Sequence, residues 1–241
     1  MSKKINISET KNEIPLTLPK FSCDVCLGKH IPKPLPSMHH FMTFCGPPGS
    51  GKTSLFLGLL TSKGDQRVYK SVYHNIFIFM PEASRSSLKD EPFKEHDPRK
   101  MFDELNIENL TSVYEMLLKF AEKKQHSLLI FDDVTADLKD LQVQKLLNRI
   151  VQNRRHLKCS IQLLVQSYIS IPLTTRKLIT HLILFRPNNR RETESLASEI
   201  LFIDKNTLQA VMKHTYQQHH DFLYVDVTNQ KYYKKFNALT F

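Results

Sequence analysis

No apolar run in the sequence approaches the roughly 18–20 residues that a membrane-spanning helix requires, so no spanning segment is expected. The N-terminus, with Lys3, Lys4, Glu9 and Lys11, lacks the apolar core of a secretory signal, and an intracellular protein is expected. Cysteine is scarce. Four in 241 residues do not make a disulfide framework, and Cys45 and Cys159 fall in apolar, strand-like surroundings that suit reduced thiols packed as small hydrophobes. One C-x-x-C occurs, at Cys23 and Cys26, without a second. A zinc site would have to borrow His30 and one of His39 or His40, so a metal site and an incidental pair of thiols both stand as readings. Internal repeats are absent, which sets aside solenoids and propellers. Acidic residues are outnumbered, 24 against 34 lysines and arginines. The resulting formal charge of +10 favours a polyanionic partner without naming one.

Glycine is also sparse, yet three of the six fall between positions 46 and 51. The stretch Gly46-Pro47-Pro48-Gly49-Ser50-Gly51-Lys52-Thr53 satisfies G-x-x-x-x-G-K-[ST], a phosphate-binding loop. The apolar run Phe41–Cys45 before it reads as a buried strand, and the segment from Ser54 to Leu60 after it reads as a helix opening. A plain Gly/Pro turn between strand and helix is the competing reading, and it leaves the full motif unexplained. Glycines let successive backbone N–H groups point at phosphates, and the helix adds the positive end of its dipole. Lys52 would then reach the β- and γ-phosphates of ATP, and the Thr53 hydroxyl would hold Mg²⁺.

Residues 1–38, with Pro15, Pro19, Pro32, Pro34 and Pro36, read as an extended arm. The rest, 39–241, reads as one α/β domain. Further buried strands are expected at 74–80, 127–131, 159–165 and 181–185, with a closing hairpin at 221–236. Helices are expected at 52–62, at 111–124 with a Thr111/Ser112…Glu115 capping box, at 138–156, at 174–179, at 192–201 and at 205–216. Residues 81–104 read as a long surface connection.

The strand at 127–131 ends in Asp132-Asp133. A carboxylate at a strand end beside the phosphate loop is placed to hold Mg²⁺ through water, a role for Asp132, with Asp133 left to polarise the attacking water. The strand at 159–165 ends in Gln166, which would lie near the γ-phosphate if that strand neighbours Phe41–Cys45. The basic run Asn153-Arg154-Arg155-His156 suits the negative end of a helix dipole with no catalytic meaning, or serves a site. Lysines alternating with aromatics from Lys231 to Phe236 suit either a solvated face or a nucleic-acid backbone.

From Phe41 to about Ile200 the order and spacing of these features resemble the FtsK–HerA superfamily of DNA-pumping ATPases. The likeness is to the poxvirus-type genome-packaging ATPases of large DNA viruses, virophages and polinton-like elements. Its most specific part is the run through Arg154-Arg155-His156, Leu164-Val165-Gln166-Ser167 and Ile179–Arg186. The resemblance implies a P-loop NTPase of RecA-like type, with a mostly parallel central sheet and helices on both faces. Gly46 to Ser54 would bind the nucleotide, Gln166 would be a polar sensor, and Arg155, with Arg154 in reserve, would reach a neighbouring subunit's nucleotide. It also implies a homo-oligomeric ring of five or six subunits, double-stranded DNA and capsid proteins as partners, and residence in the virion or at assembly sites in the host cytoplasm. Asp133 stands where many relatives have glutamate, which shortens that carboxylate by one methylene. No winged-helix extension for DNA is expected from these residues. Two other functions fit a phosphate loop: a small-molecule or nucleoside kinase with 81–104 as its lid, and a non-hydrolysing, capsid-associated nucleotide switch.

Overall fold

The computed structural model describes residues 25–86 and 93–241. Nine strands form one sheet: β1 (Phe41–Cys45), β2 (Asn75–Phe79), β3 (Met101–Phe102), β4 (Ser127–Asp132), β5 (Cys159–Val165), β6 (His181–Phe185), β7 (Phe222–Asp226), β8 (Lys231–Lys234) and β9 (Asn237–Leu239). Their spatial order is β3-β2-β4-β5-β1-β6-β7-β8-β9. The first six in that order run parallel and the last three antiparallel. The helices are α1 (Lys52–Thr61), α2 (Glu82–Ser86), α3 (Ile107–Glu122), α4 (Leu141–Gln152), α5 (Leu173–Arg176), α6 (Arg190–Leu196) and α7 (Lys205–Thr215). The fold is α/β, a mostly parallel sheet covered on both faces.

Continuous apolar runs, rather than alternating ones, are what such coverage demands, and β1 and β5 are buried at every position. Residues of opposite parity enter two cores. Phe41, Phe79, Phe131, Leu163 and Leu184 face α3, α4, α6 and α7 through Val113, Leu147, Leu196 and Leu208. Met42, Phe44, Ile130 and Ile183 face α1 through Phe56, Leu59 and Leu60. This second layer also takes Leu27, Ile31 and Leu35 from the proline-rich segment, so residues 25–38 pack on the sheet; the first 24 residues of the expected arm, Cys23 among them, lie outside the described residues.

Four local expectations need correction. α3 begins at Ile107, because the Asn106 side chain accepts from Asn109 N at 2.9 Å and caps the helix a turn before Thr111. α4 starts at Leu141, where the Asp140 carboxylate accepts from the N–H groups of Gln142 and Val143, and it stops at Gln152, so Arg154 and Arg155 lie beyond it in a turn. The 81–104 connection contains α2 and the edge strand β3. The C-terminal hairpin gains a third strand, β9.

Candidate functional site

Strand register brings the expected site together. Asp132 of β4 pairs with Leu164 of β5, and Cys45 of β1 pairs with Val165, so three strand ends are flush. The residues that follow, Asp133, Gln166 and Gly46, emerge at one edge. β5 lies between β1 and β4, so the Gln166 strand is the direct neighbour of Phe41–Cys45, the condition set for Gln166 to reach the γ-phosphate, and the acidic strand lies one place further out.

The loop from Gly46 to Gly51 joins β1 to α1. Gly46 N donates to Val165 O at 3.1 Å, carrying the ladder one residue past β1. A Cβ at Gly46 would lie 2.6 Å from Phe185 Cβ, so only glycine fits there. Gly51 is left-handed, with φ of 101°, and its place at the start of α1 supplies no side-chain cap. The first N–H groups of α1 therefore face outward without a side-chain partner, the arrangement that receives phosphate. Lys52 Nζ donates to Gly46 O at 2.6 Å and to Pro47 O at 3.0 Å, which lays its ammonium across the loop.

Lys52, Thr53, Asp132, Asp133 and Gln166 line one cavity of about 300 Å³, together with Ser84 and Thr135. Burial is the first cause that raises the Asp132 carboxyl to about 6, and the neighbouring Asp133 adds to it; Lys52 and a hydrogen bond from Thr53 oppose the rise. Burial lowers the Lys52 ammonium from its usual value, against the attraction of Asp132. Two acids near one lysine, and a hydroxyl bonded to Asp132, suit a hard divalent cation with oxygen ligands. Mg²⁺ fits this donor set.

Asp133 is left-handed, with φ of 58°, a conformation aspartate tolerates better than most residues. Its Oδ2 accepts from Ser84 Oγ at 3.0 Å. Ser84 was not foreseen, because nothing in a charged loop marks one serine as a partner for a residue 49 positions away. Glu192 of α6 was also missed. It is buried, and Oε1 accepts from Ser167 Oγ at 2.9 Å, from Tyr168 N, and from Cys45 Sγ at 3.7 Å. An acid in the first turn of a helix reads as a dipole partner, so no sequence signal singled it out.

The arginines stand apart from this site. Both precede β5 while Gln166 follows it, and seven strand residues place them about 23 Å away. Arg154 is tied to the backbone, Nε donating to His39 O at 3.2 Å and Nη1 to Val151 O at 3.1 Å. Arg155 is exposed. The other zinc candidates are engaged singly: His30 Nε2 donates to Val68 O, His40 Nδ1 to Met38 O, and His39 Nε2 pairs with His126 Nδ1. Among the described residues no group of three or more histidine, cysteine, aspartate or glutamate side chains could hold a metal ion.

Residues 32–225 match the family model described as Poxvirus A32 protein. Among solved structures, the B204 DNA-packaging ATPase of Sulfolobus turreted icosahedral virus aligns with a TM-score of 0.61 and 18% identity, over 80% of this chain and 95% of that one. The genome-packaging NTPase B204 of Sulfolobus turreted icosahedral virus 2 aligns in its AMP complex with a TM-score of 0.57 and 14% identity, over 81% and 96% of the two chains. Its ATP-gammaS complex gives the same TM-score and identity, over 81% and 95%. At such identities these likenesses establish the fold. No curated protein matches the chain.

Proposed function

The chain belongs to the poxvirus A32 protein family, and on that premise we propose that it is a viral DNA-packaging ATPase, hydrolysing ATP to move double-stranded DNA into a capsid. One observation carries the reading: Lys52, Thr53, Asp132, Asp133 and Gln166 share a single cavity against the uncapped start of α1. The similar B204 proteins support it: one is described as a DNA-packaging ATPase, and the other, described as a genome packaging NTPase, is solved with AMP and with ATP-gammaS.

Backbone N–H groups from Gly46 to Ser54 would cradle the phosphates, and Lys52 would exchange its loop carbonyls for phosphate oxygens. Thr53 and Asp132 would hold Mg²⁺, which when bound neutralises charge on the phosphates. Asp133, held by Ser84, orients and polarises the attacking water; Gln166 hydrogen-bonds near the terminal phosphate. Asp133 is one methylene shorter than glutamate, and the Ser84 bond fixes where its carboxylate stops. Arg155 would serve a neighbouring subunit in a ring of five or six. The partners on this reading are double-stranded DNA and capsid proteins, and the setting is the virion or assembly sites in the host cytoplasm. Among the described residues no helix is long and apolar enough to cross a membrane.

ATP hydrolysis at low salt, with and without long double-stranded DNA and with Lys52→Ala as the blank, tests the proposal. Stimulation by DNA that fades as salt rises supports the motor, because phosphate contacts release counterions. Turnover indifferent to DNA overturns it.

A further inference from the structure

Two cavities run into one groove between α6 and α7. One, of about 820 Å³, and another, of about 440 Å³, share Thr193, Leu208 and Gln209. Neither shares a residue with the cavity of Lys52 and Asp133. Ala197, Ile203 and Leu208 give the groove its apolar lining at one end, and Pro187, Met212 and Tyr216 at the other.

Its charge is almost all of one sign. Arg186, Arg190, Lys205 and Lys213 line it against a single acid, Glu194, which already accepts from Arg190 Nε at 2.9 Å. Asp204, next to Lys205, is engaged in capping α7, where Oδ1 accepts from Asn206 N at 2.9 Å and from Thr207 N at 3.2 Å. Arg186, Lys205 and Lys213 are exposed and form no ion pair among the described residues.

Phe202 also lines the groove, and it is 67% exposed. α6 runs into a single π turn, Ala197–Leu201, closed by Phe202 N donating to Ala197 O at 2.9 Å, and Phe202 itself is left-handed, with φ of 48°. That backbone is strained for a bulky side chain, and a ring left in water gains little burial to offset the strain. π turns of this kind recur at functional sites. The C-terminal hairpin holds the turn in place, with Gln230 Nε2 donating to Ile200 O at 3.3 Å and Tyr232 Oη donating to Leu201 O.

We propose that the groove between α6 and α7 docks an amphipathic helix of another protein, with an apolar stripe flanked by acidic side chains. The apolar lining and the exposed Phe202 ring match the stripe, and the three cations outside the Arg190–Glu194 pair match carboxylates along its edges. A nucleic-acid backbone would meet the cations but leave the apolar lining uncovered. A second copy of this chain, with its formal charge of +10, brings mostly like charge to the groove. The groove serves this partner whether or not the phosphate loop binds ATP.

Fluorescence anisotropy of the full chain with three labelled peptides, each of about five helical turns, tests the assignment. The first carries leucines at i, i+4 and i+7 spacing with glutamates on both flanks, the second has lysines for the glutamates, and the third has serines for the leucines. The first should bind about tenfold or more tightly than either of the others, and less tightly as salt rises. Lys205→Glu combined with Lys213→Glu should reverse the preference between the acidic and basic peptides. Phe202→Asn, which suits the left-handed backbone, should weaken the acidic peptide about tenfold while the urea midpoint holds or rises. No binding of the acidic peptide, or equal binding of all three, overturns the proposal. A urea midpoint that falls in Phe202→Asn also counts against it, because the ring would then be held for its own packing. Displacement of the acidic peptide by duplex DNA overturns it in favour of a nucleic-acid backbone, and loss of an oligomer in the double lysine variant, read by sedimentation, overturns it in favour of a second copy. None of these measurements uses nucleotide, so their failure leaves the ATPase proposal standing.

Discussion

Glu192 Oε1 accepts a hydrogen bond from Ser167 Oγ at 2.9 Å, joining the start of α6 to the residue that follows Gln166. The same carboxylate receives Tyr168 N and the Cys45 thiol, so it ties the ends of β1 and β5 behind the phosphate loop. Further along the same helical stretch, Glu199 accepts from Tyr168 Oη at 2.9 Å and pairs with Arg176 at 3.0 Å. Gln166 is thus the exposed tip of a segment held from below.

Glu192→Ala is expected to cost about 2–3 kcal/mol, because it leaves a buried backbone N–H and a hydroxyl without their acceptor. Glu192→Gln keeps one acceptor oxygen and should lose less. Urea unfolding measures the stability. The positioning role shows in kinetics: Glu192→Gln lowers kcat more than it raises KM, since Gln166 is displaced while the loop still binds phosphate. Equal kcat in both proteins would sink that role.

Asp133 separates chemistry from folding. Asparagine also tolerates the left-handed backbone and can accept from Ser84, so Asp133→Asn should unfold within about 0.5 kcal/mol of the parent. Its amide cannot polarise water as a carboxylate does, and turnover should fall about 10²-fold or more. Ser84→Ala releases the carboxylate without removing it and should give an intermediate loss. Single-turnover hydrolysis with saturating ATP distinguishes these outcomes; an active Asp133→Asn protein would remove Asp133 from the chemistry.

Much of this site was legible in the sequence because its parts are local in the chain. A phosphate loop needs a strand, glycines, Lys-Thr and a helix in succession, and Phe41 to Leu60 supply all of them. The parallel strands announce themselves as apolar runs because both faces are buried. Contacts between distant segments were not legible. Ser84 meets Asp133, Glu192 meets Ser167, and His220 meets Ser50 across 49, 25 and 170 residues. The two-residue β3 is too short to carry a pattern, and the three-residue β9, exposed at Asn237 and Ala238 on the sheet's edge, carries none either. α3 was read late because Thr111-Ser112…Glu115 imitates a capping box inside a helix that Asn106 had already opened.

Acid should unfold the protein through histidines at the amino-terminal ends of the strands. Burial is the main cause that lowers His39 and His40 to about 3 from 6.5. His126, Lys158 and Arg154 press His39 further down, and His181, His39 and Arg154 do so for His40; the acid Asp226 stands 4.0 Å from His181. The unfolded chain binds more protons between pH 6.5 and 3, so stability is full above 6.5 and declines as pH falls, by about 1.4 kcal/mol per unit for each histidine. Asp132 works the other way, since a carboxyl raised to about 6 is relieved by protonation, but it is one group against two. The urea midpoint should therefore drop between pH 6.5 and 4.5. His40→Asn, which can still donate to Met38 O, should flatten that decline; an unchanged slope would rule out His40 as its source.

Arg155 cannot serve its own Lys52, because β5 stands between them and the two lie at opposite ends of the sheet. If it completes a neighbour's site, Arg155→Ala should lose about 10³-fold in turnover while binding ATP normally. Asp133→Ala should be equally inactive for a different reason. In a ring mixed from the two, some interfaces pair an intact Asp133 in one subunit with an intact Arg155 in the next. Random mixing in equal amounts creates such an interface about one time in four, so up to about a quarter of parental activity should return. Arg154→Ala behaves differently: it frees His39 O and Val151 O from their donor and should cost roughly 1–2 kcal/mol of stability, without gaining from the mixture. Mixed Arg155→Ala and Asp133→Ala rings that remain silent would place Arg155 outside the hydrolytic site and leave the basic turn to another anionic contact.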